Sequence, residues 1–334
     1  TVTAQYQATA LVNNNTTYSM SAPGSDPWYD QDIISFPWYQ GSAQTTVNVA
    51  GPLAGQTATV EVELWGNMYS SVPEEHHVQL LLNGVVIGEA TFDDLQMKKI
   101  TVQVSSSSLL NGANELKVID LADTGVEFDI VSVNTWSITY PRALSAIDGR
   151  LDFVAGGKRV EITNVPKKNT LVYRIGLNGA ITKVATTALK NGVAIKGTDA
   201  AARYVVAAPN AVRTPTVTPM RASTQLIGGH VDYLIVTHSS LIPSLQPLVS
   251  YHQGLGRTVK VVDVADIYQG YSHGIIDAAA INTYLDAALP AMGVKWLLVA
   301  GSDSNDYRDY MGLGSYSLVP SVYGRTGPSI TYAP

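Results

Sequence analysis

A short acidic loop near the end of the chain carries the residues best suited to metal binding. Asp303, Asn305, Asp306 and Asp309 place several oxygen ligands within seven residues. Calcium prefers about six to eight such oxygens on a bent backbone, so this spacing predicts a calcium site. The loop lacks the central glycine and the final glutamate of an EF-hand. The alternative is that these side chains cap turns at the carboxyl end of a strand, as Asp and Asn commonly do.

Two Pro-Trp-Tyr triplets lie ten residues apart in the first part of the chain. The first triplet contains Trp28 and Tyr29, and the second contains Trp38 and Tyr39. Exposed aromatic side chains stack on the faces of flat ligands such as sugar rings, so these four residues predict a glycan-binding surface. The alternative is that both tryptophans pack against edges of the fold or against the next domain, since adjoining prolines are typical of fixed edge segments.

The chain contains no cysteine, which limits its own chemistry. It can form no disulfide, no thiolate metal site and no cysteine nucleophile. His76 and His77 are neighbours whose side chains would face opposite sides of a strand, so they cannot chelate one metal together. We expect one of them to be buried and hydrogen-bonded and the other to lie at the surface. His273, in the single His-Gly pair of the sequence, is predicted to lie in a loop.

Composition indicates a polar but weakly charged surface. Charged residues make up 14% of the 334 residues and the net charge is −6, with no basic run. These values argue against a nucleic-acid or anionic-membrane partner. No stretch approaches the roughly 20 apolar residues of a membrane span. The Thr-, Asn- and Ser-rich composition favours a secreted or cell-surface protein outside the bacterial cytoplasm, with any signal peptide outside this sequence.

Hydrophobic patterning predicts two all-β domains followed by a partial α/β domain. Residues 1–142 alternate apolar and polar side chains between turn signals, which is typical of a β-sandwich or jelly roll. Residues 143–225 predict a smaller, β-sandwich-like unit that ends in a linker at 213–224. Residues 226–334 begin a parallel α/β sheet of the Rossmann-like kind, because continuous apolar runs replace the alternating pattern.

Individual β elements can also be placed from the sequence. Val60, Val62 and Leu64 should form one buried face of a strand at 58–66. A long strand at 126–141 should end at Pro141. Three hairpins are predicted, through Asn83-Gly84, Gly156-Gly157 and Asn178-Gly179.

The α/β part is predicted to contain three buried strands and two helices. The strands are predicted at 232–238, 258–264 and 295–301, and the helices at 242–256 and 277–293. Pro243 fits the first turn of the first helix, and Asp277 is a favourable N-cap for the second. No further sheet element is expected after the third strand. Three strands and two helices are few for an independent domain, so we expect a truncated subdomain whose chemistry, if any, lies beyond residue 334.

Three features of residues 231–325 resemble the first half of the catalytic domain of gingipain-type cysteine peptidases. They are the helix that ends in Gly-Leu-Gly-Arg at 254–257, the strand-Asp-Ile run at 259–267, and the Leu-Leu-Val strand at 297–299 before an acidic loop. The upstream β region is similar, less specifically, to the accessory domains that precede this catalytic unit in secreted bacterial relatives. The segments that carry this likeness are DPWYDQD, HHVQLLLNG and TGVEFDIVSVNTWSITYPR.

The resemblance implies a caspase-like fold and thiol-dependent cleavage of peptide bonds in protein or peptide substrates. In that family a histidine followed by glycine activates a cysteine at the end of the next strand, and both lie downstream of the half represented here. In the family Gly-Asp usually follows the third strand, whereas here Gly301 is followed by Ser302 and Asp303. Any role of Asp303 therefore stays open.

Two functional hypotheses follow. The first is the amino-terminal portion of a secreted gingipain-like cysteine endopeptidase, inactive by itself because its Cys–His dyad lies beyond the chain. The second is a non-catalytic cell-surface binding or structural protein that carries a carbohydrate-binding-like jelly roll. No cofactor other than calcium is expected in either case.

Overall fold

The chain folds into two compact units, which a computed structural model describes at residues 2–19, 21–22, 26–217, 225–326 and 329–332. The first unit comprises Thr1–Asn14 and Tyr29–Pro215, and the second comprises Asn15–Trp28 and Thr216–Pro334. Part of the predicted linker, at 218–224, lies outside the described residues.

The protein is mostly β-sheet. The first twelve strands are β1 (Val2–Thr3), β2 (Gln5–Val12), β3 (Thr17–Tyr18), β4 (Trp28–Tyr29), β5 (Gln31–Ser35), β6 (Ser42–Val49), β7 (Thr57–Gly66), β8 (His76–Leu82), β9 (Val85–Phe92), β10 (Met97–Ser105), β11 (Gly112–Asp120) and β12 (Asp129–Ala143). The later strands are β13 (Arg150–Ala155), β14 (Arg159–Thr163), β15 (Leu171–Ile175), β16 (Ile181–Lys183), β17 (Thr186–Leu189), β18 (Gly192–Lys196), β19 (Ala202–Ala207), β20 (Tyr233–Thr237), β21 (Val259–Asp263), β22 (Trp296–Ala300), β23 (Tyr323–Thr326) and β24 (Ser329–Tyr332). The α-helices are α1 (Ile242–Gly254), α2 (Val264–Tyr271) and α3 (Ala278–Met292), and short 3-10 helices span Ser106–Ser108, Pro209–Ala211 and Ser239–Leu241.

Two antiparallel sheets of the first unit share one hydrophobic core. One sheet has the order β10-β7-β12-β2, with β5 also paired to β12, and the other has the order β6-β11-β8-β9. Val60, Val62 and Leu64 of β7 have no exposed surface, as the alternating pattern predicts. The hairpin between β8 and β9 is confirmed, since Asn83 and Gly84 have φ angles of 49° and 81° and so supply the left-handed conformation that the tight turn requires.

The predicted end of β12 at Pro141 is wrong, because the strand continues to Ala143. The carbonyl oxygen of Pro141 accepts a hydrogen bond from the Leu53 amide at 2.9 Å, on the side where the pairing with β7 has already ended at Thr139. The missing N–H of the proline faces that same side. Its absence therefore removes no hydrogen bond from the ladder with β2.

Two smaller sheets of the first unit enclose a second core. Their orders are β13-β19-β15-β16 and β1-β14-β18-β17, and the buried side chains of this core include Phe153, Ile162 and Tyr204. The predicted hairpin through Asn178-Gly179 joins β15 to β16 and is confirmed. The predicted hairpin through Gly156-Gly157 is wrong, because β13 pairs with β19 whereas β14 pairs with β18 and β1. Both strands are half-buried on the same core, so this turn carries the chain from one sheet to the other.

A parallel sheet with the order β21-β20-β22 forms the centre of the second unit. Its core cluster draws mainly on β20, β21, α2 and α3 and includes Leu234, Val262, Ile267 and Tyr284. The three predicted strands and the helix starts are confirmed, with Pro243 in the first turn of α1 and Asp277 capping α3.

Two expectations for the second unit are wrong. The sequence predicts two helices, but α2 forms a third directly after β21, because the Asp263 side chain caps it by accepting the Ala265 amide at 3.1 Å. The sequence predicts no sheet element after β22, yet β23 and β24 pair as antiparallel strands. Among the described residues, no helix is long and apolar enough to cross a membrane.

Candidate functional site

The carboxyl edge of the parallel sheet is the place where ligands bind in open α/β folds. The chain runs from the central strand β20 to β21 on one side and then crosses to β22 on the other, so the strand order reverses between β20 and β22. Thr237 ends β20 and Ala300 ends β22, and the Thr237 hydroxyl donates to the Ala300 carbonyl at 2.7 Å. This bond holds the two strand ends together at the point where the crevice opens.

His238 is the first residue after β20 and lies at this edge. Its Nδ1 atom accepts a hydrogen bond from the Ser240 amide at 3.2 Å, so in the neutral ring the proton is on Nε2. Nε2 lies 2.9 Å from the Tyr316 hydroxyl and donates to it. The pair joins the loop after β20 to the segment that follows the acidic loop.

A cavity of about 370 Å³ opens beside this pair. Val264 and Ala265, at the start of α2, and Leu318 line it with apolar surface. Tyr268, one turn further along α2, also lines it. The cavity thus lies at the carboxyl edge of the sheet, beside the ends of β20 and β21, and it combines apolar walls with a few polar groups.

The acidic loop after β22 uses its carboxylates to hold its own backbone. Asp306 is buried, and its two carboxylate oxygens accept the amides of Tyr310 and Met311 at 2.7 and 3.0 Å. Asp309 accepts the Ser315 amide at 3.0 Å. These contacts are those expected of carboxylates that cap turns.

Asp303 shares this capping role. Its carboxylate accepts the Ser304 amide, the Ser317 hydroxyl and the Ser321 amide at 2.7, 3.0 and 3.1 Å. Asn305 is half-buried. Within the described ranges, no group of three or more His, Cys, Asp or Glu side chains is arranged to hold a metal ion. The calcium site at residues 303–309 stays a prediction.

The four aromatic residues predicted to bind glycans have different surroundings. Tyr29 has no exposed surface. Trp28 is half-buried and makes edge-to-face contacts with Tyr18 and Tyr310, with ring centroids 5.1 and 5.0 Å apart. These contacts belong to the second unit, and they fit the packing alternative for this tryptophan.

Trp38 is the most exposed of the four, at 81%, and its ring stacks on Phe36 with the planes 9° from parallel and the centroids 5.3 Å apart. Tyr39, beside it, is 58% exposed. An exposed tryptophan ring of this kind can stack on a flat ligand.

The two adjacent histidines differ in burial, as predicted. His76 is fully buried, and its Nδ1 atom lies 2.7 Å from the Oδ1 atom of Asp129. His77 lies near the surface between the carboxylates of Asp123 and Glu89, at 2.8 and 2.9 Å. His273 lies in a turn with a φ angle of 56°, which also agrees with its prediction as a loop residue.

A buried cluster of ionisable groups surrounds His76 and is not predicted by the sequence. Glu75, Asp120 and Asp129 are each about 1% exposed, and the Nε2 atom of His76 lies 3.9 Å from the Glu75 carboxylate. One signal was present in the sequence. Asp120 continues the inward-facing series of β11 after Leu116 and Val118, so its side chain had to point into the core.

Burial sets the electrostatics of this cluster. Burial, together with the charge of Asp129, raises the pKa of Asp120 to about 7. Burial alone would lower the pKa of His76, but its hydrogen bond to Asp129 and the charges of Asp129 and Glu75 outweigh that effect, so the pKa is raised. The cluster therefore holds exchangeable protons near neutral pH inside the β core.

Residues 228–332 match peptidase family C25, the gingipain family. This match confirms the predicted resemblance to gingipain-type cysteine peptidases over that part of the chain. No curated protein matches the sequence significantly.

Among solved structures, the chain is similar in fold to dimeric latent PorU from Porphyromonas gingivalis, with a TM-score of 0.66 and 16% identity. The similarity covers 99% of this chain but 34% of the PorU chain, so the sequence spans about a third of that protein.

Two carbohydrate-active proteins give much weaker likenesses. An FMN-binding β-glucuronidase from Faecalibacterium prausnitzii has a TM-score of 0.23 at 13% identity, over 60% of this chain and 34% of its own. Tandem CBM51 modules of a family 98 glycoside hydrolase from Streptococcus pneumoniae also have a TM-score of 0.23, at 10% identity, over 56% of this chain and 82% of theirs. Neither likeness carries an argument about function.

Proposed function

We propose that this chain is the amino-terminal portion of a secreted gingipain-like cysteine endopeptidase. The match of residues 228–332 to peptidase family C25 carries the proposal. The substrate would be a protein or peptide, and a Cys–His dyad outside these 334 residues would cleave it. Because the sequence contains no cysteine, the chain by itself would be inactive.

The proposal assigns a role to each region. Residues 1–142 would be a jelly-roll accessory domain, 143–225 a small β domain, and 226–334 the first subdomain of a caspase-like catalytic domain. The two cores of the first unit and the separate core of the second support this division.

Strand β22, at one edge of the parallel sheet, also supports the proposal. Trp296, Leu297 and Val299 of β22 are 43, 40 and 48% exposed, whereas Leu234, Ile235 and Val236 of the central strand are fully buried. A parallel sheet normally buries both faces and continues until its edge is protected. We therefore propose that a further strand of the catalytic domain pairs with β22.

A cleavage assay tests the proposal. The 334-residue chain and a longer protein that adds the downstream His-Gly and Cys strands would be incubated with a mixture of fluorogenic peptides. We expect turnover by the longer protein only, abolished by iodoacetamide and by replacement of its cysteine with alanine. Turnover by the 334-residue chain, or none by the longer protein, would contradict the proposal.

The exposed ring of Trp38 favours a second candidate function, a cell-surface glycan-binding module. On a glycan array, a bound glycan should be lost with Trp38→Ala but kept with Tyr69→Ala, which removes another aromatic ring that is 74% exposed. A blank array, or equal binding by both variants, would leave Trp38 without this role.

A further inference from the structure

The sheet with the order β13-β19-β15-β16 carries apolar side chains on both of its faces. Val172 and Val206 lie on the inner face, in the second core. The strand register places a further apolar set on the outer face: Val154, Leu171, Tyr173, Ile175, Ile181, Val205 and Ala207. Continuous apolar runs, such as that at 204–207, are typical of strands that are covered on both sides. Yet Val154 and Ile181 are 56 and 69% exposed, so this outer face has the composition of a surface that a further layer covers.

A groove of about 470 Å³ lies on this outer face. Leu171, Tyr173 and Val205 line it with apolar surface, and residues 211–213, which follow β19, also line it. Arg150 holds that segment in place, because its Nε atom donates to the carbonyl oxygen of Ala211 at 2.7 Å. The groove is therefore pre-formed by the fold of the first unit.

The uncompensated charges on the outer face are positive. Asp152 is the acidic residue that the four strands place there, and it forms a salt bridge with Arg203 at 2.6 Å. Arg150 and Arg213 line the groove, and Lys183 lies on the same face of β16. None of these three cations forms an ion pair with an acidic side chain among the described residues. Because charges across an interface are complementary, a partner of this face should carry carboxylates beside its apolar residues.

The sheet geometry favours a helical partner over an extended one. The central strand of the groove is β19, which pairs with β13 on one side and with β15 on the other. An extended peptide gains affinity by pairing with a free strand edge, and β19 offers none. A helix satisfies its backbone hydrogen bonds internally and lays a stripe of side chains into a groove.

We propose that this outer face docks an amphipathic helix of a partner polypeptide. The apolar stripe of that helix packs on Leu171, Tyr173 and Val205, and its glutamate or aspartate side chains lie beside Arg150 and Arg213. The inference goes beyond the proposed peptidase function and does not depend on it, because every residue involved belongs to the first unit. It assigns a partner-binding role to the small β domain.

Binding of synthetic peptides to the 334-residue chain tests the inference by fluorescence anisotropy. The acidic probe is a labelled, blocked peptide of about 18 residues, long enough to form a helix, with a leucine stripe flanked by glutamates and alanine elsewhere. The basic probe has lysine in place of each glutamate. A third probe is the acidic peptide with two central prolines, which prevent the helix. We expect the acidic probe to bind about tenfold more tightly than either of the others.

Two variants locate the binding face. Arg213→Glu should weaken the acidic probe by roughly three- to tenfold and strengthen the basic probe, because it reverses a charge at the groove. Lys190→Glu is the matched control, since it makes the same change in the exposed turn between β17 and β18 of the other sheet, and it should leave both affinities unchanged. Val205→Thr keeps the β-branched shape but replaces a methyl group with a hydroxyl, so it should weaken the acidic probe by about threefold. Its melting temperature should stay close to that of the wild type, because Val205 is only half-buried.

Several results would overturn the inference. They are no binding of the acidic probe at millimolar concentration, equal binding of the acidic and basic probes, and equal effects of Arg213→Glu and Lys190→Glu. Equal binding of the proline-containing probe would exclude a helix as the occupant. A wild-type dimer that Arg213→Glu dissociates in sedimentation would make a second copy of the chain the occupant, which would also contradict the inference.

Discussion

His76 and Asp129 join the two sheets of the first core through a 2.7 Å contact between Nδ1 and Oδ1. His76 begins β8 in one sheet, and Asp129 begins β12 in the other. Neither side chain reaches solvent to a significant extent. A hydrogen-bonded ionisable pair inside the core fixes how the two sheets meet at this end, because either partner alone would be costly to bury.

Replacement of His76 by alanine should strongly destabilise the first unit. The change leaves the Asp129 carboxylate buried without its partner, which typically costs about 3–5 kcal/mol. It also leaves a gap beside the ring of Phe92, whose centroid lies 4.6 Å from that of His76. Urea unfolding followed by tryptophan fluorescence measures the loss.

His77→Ala is the control for this prediction. It removes a neighbouring histidine whose partners, Glu89 and Asp123, lie at the surface. Exposed ion pairs contribute little to stability, so the loss should be far smaller than for His76→Ala. Equal losses in the two variants would show that the buried pair has no special role.

Stability of the first unit should fall as pH rises toward and above neutrality. Asp120 titrates near 3.8 when unfolded and at about 7 when folded, so the folded state holds its proton more tightly. The stability from this group is fully present below about pH 4 and is lost as pH rises from about 4 to about 7. The raised pKa of His76 has the same sign, since stability from a raised histidine pKa is lost as pH rises through the folded value.

Urea midpoints at pH 5.5 and pH 8 test this dependence. The wild type should unfold at a lower urea concentration at pH 8. Asp120→Asn should reduce the difference, because an amide stays neutral throughout, whereas Asp199→Asn at the exposed surface of the first unit should leave it as in the wild type. A difference that is unchanged in Asp120→Asn would exclude this residue as the source.

Local signals predicted much of this fold from sequence. The Asn83-Gly84 turn, the buried face of β7 and the start of α3 at Asp277 depend on residues close together in the chain, so the sequence specifies them directly. The Gly156-Gly157 turn shows the limit. Its sequence favours a hairpin, but strand partners are chosen by contacts with distant segments, and β13 and β14 pair elsewhere.

The site was less predictable than the fold. Composition alone locates the acidic loop, but only the folded structure shows that its carboxylates accept hydrogen bonds from backbone amides of the same loop. The cavity beside Tyr268 combines residues from three separate segments around His238, α2 and Leu318. No local pattern links them, because the strand order that brings them together is a property of the whole sheet.

Asp306 should stabilise its loop whether or not calcium is present. Asp306→Ala removes two hydrogen bonds that a buried carboxylate accepts from backbone amides, which should cost about 2–4 kcal/mol. Thermal unfolding with calcium and with a chelator separates the two roles. Equal losses under both conditions indicate turn capping alone. A rise in the melting temperature of the wild type on calcium addition, absent in Asp306→Ala, would support the predicted calcium site.

The exposed outer strand of the parallel sheet should make the 334-residue chain self-associate. Val299 of β22 is 48% exposed, and on the far side from β20 no strand among the described residues pairs with β22. Such an edge pairs readily with another strand, including that of a second copy. Val299→Lys should oppose this pairing, since burying an unpaired ammonium would cost about 1–3 kcal/mol or more and weaken association by roughly tenfold. Sedimentation velocity over a range of concentrations measures the shift toward monomer.

Asn282→Lys is the control, since it adds the same charge to the exposed surface of α3 and should leave association unchanged. A wild-type chain that stays monomeric at high concentration would show that β22 is already protected.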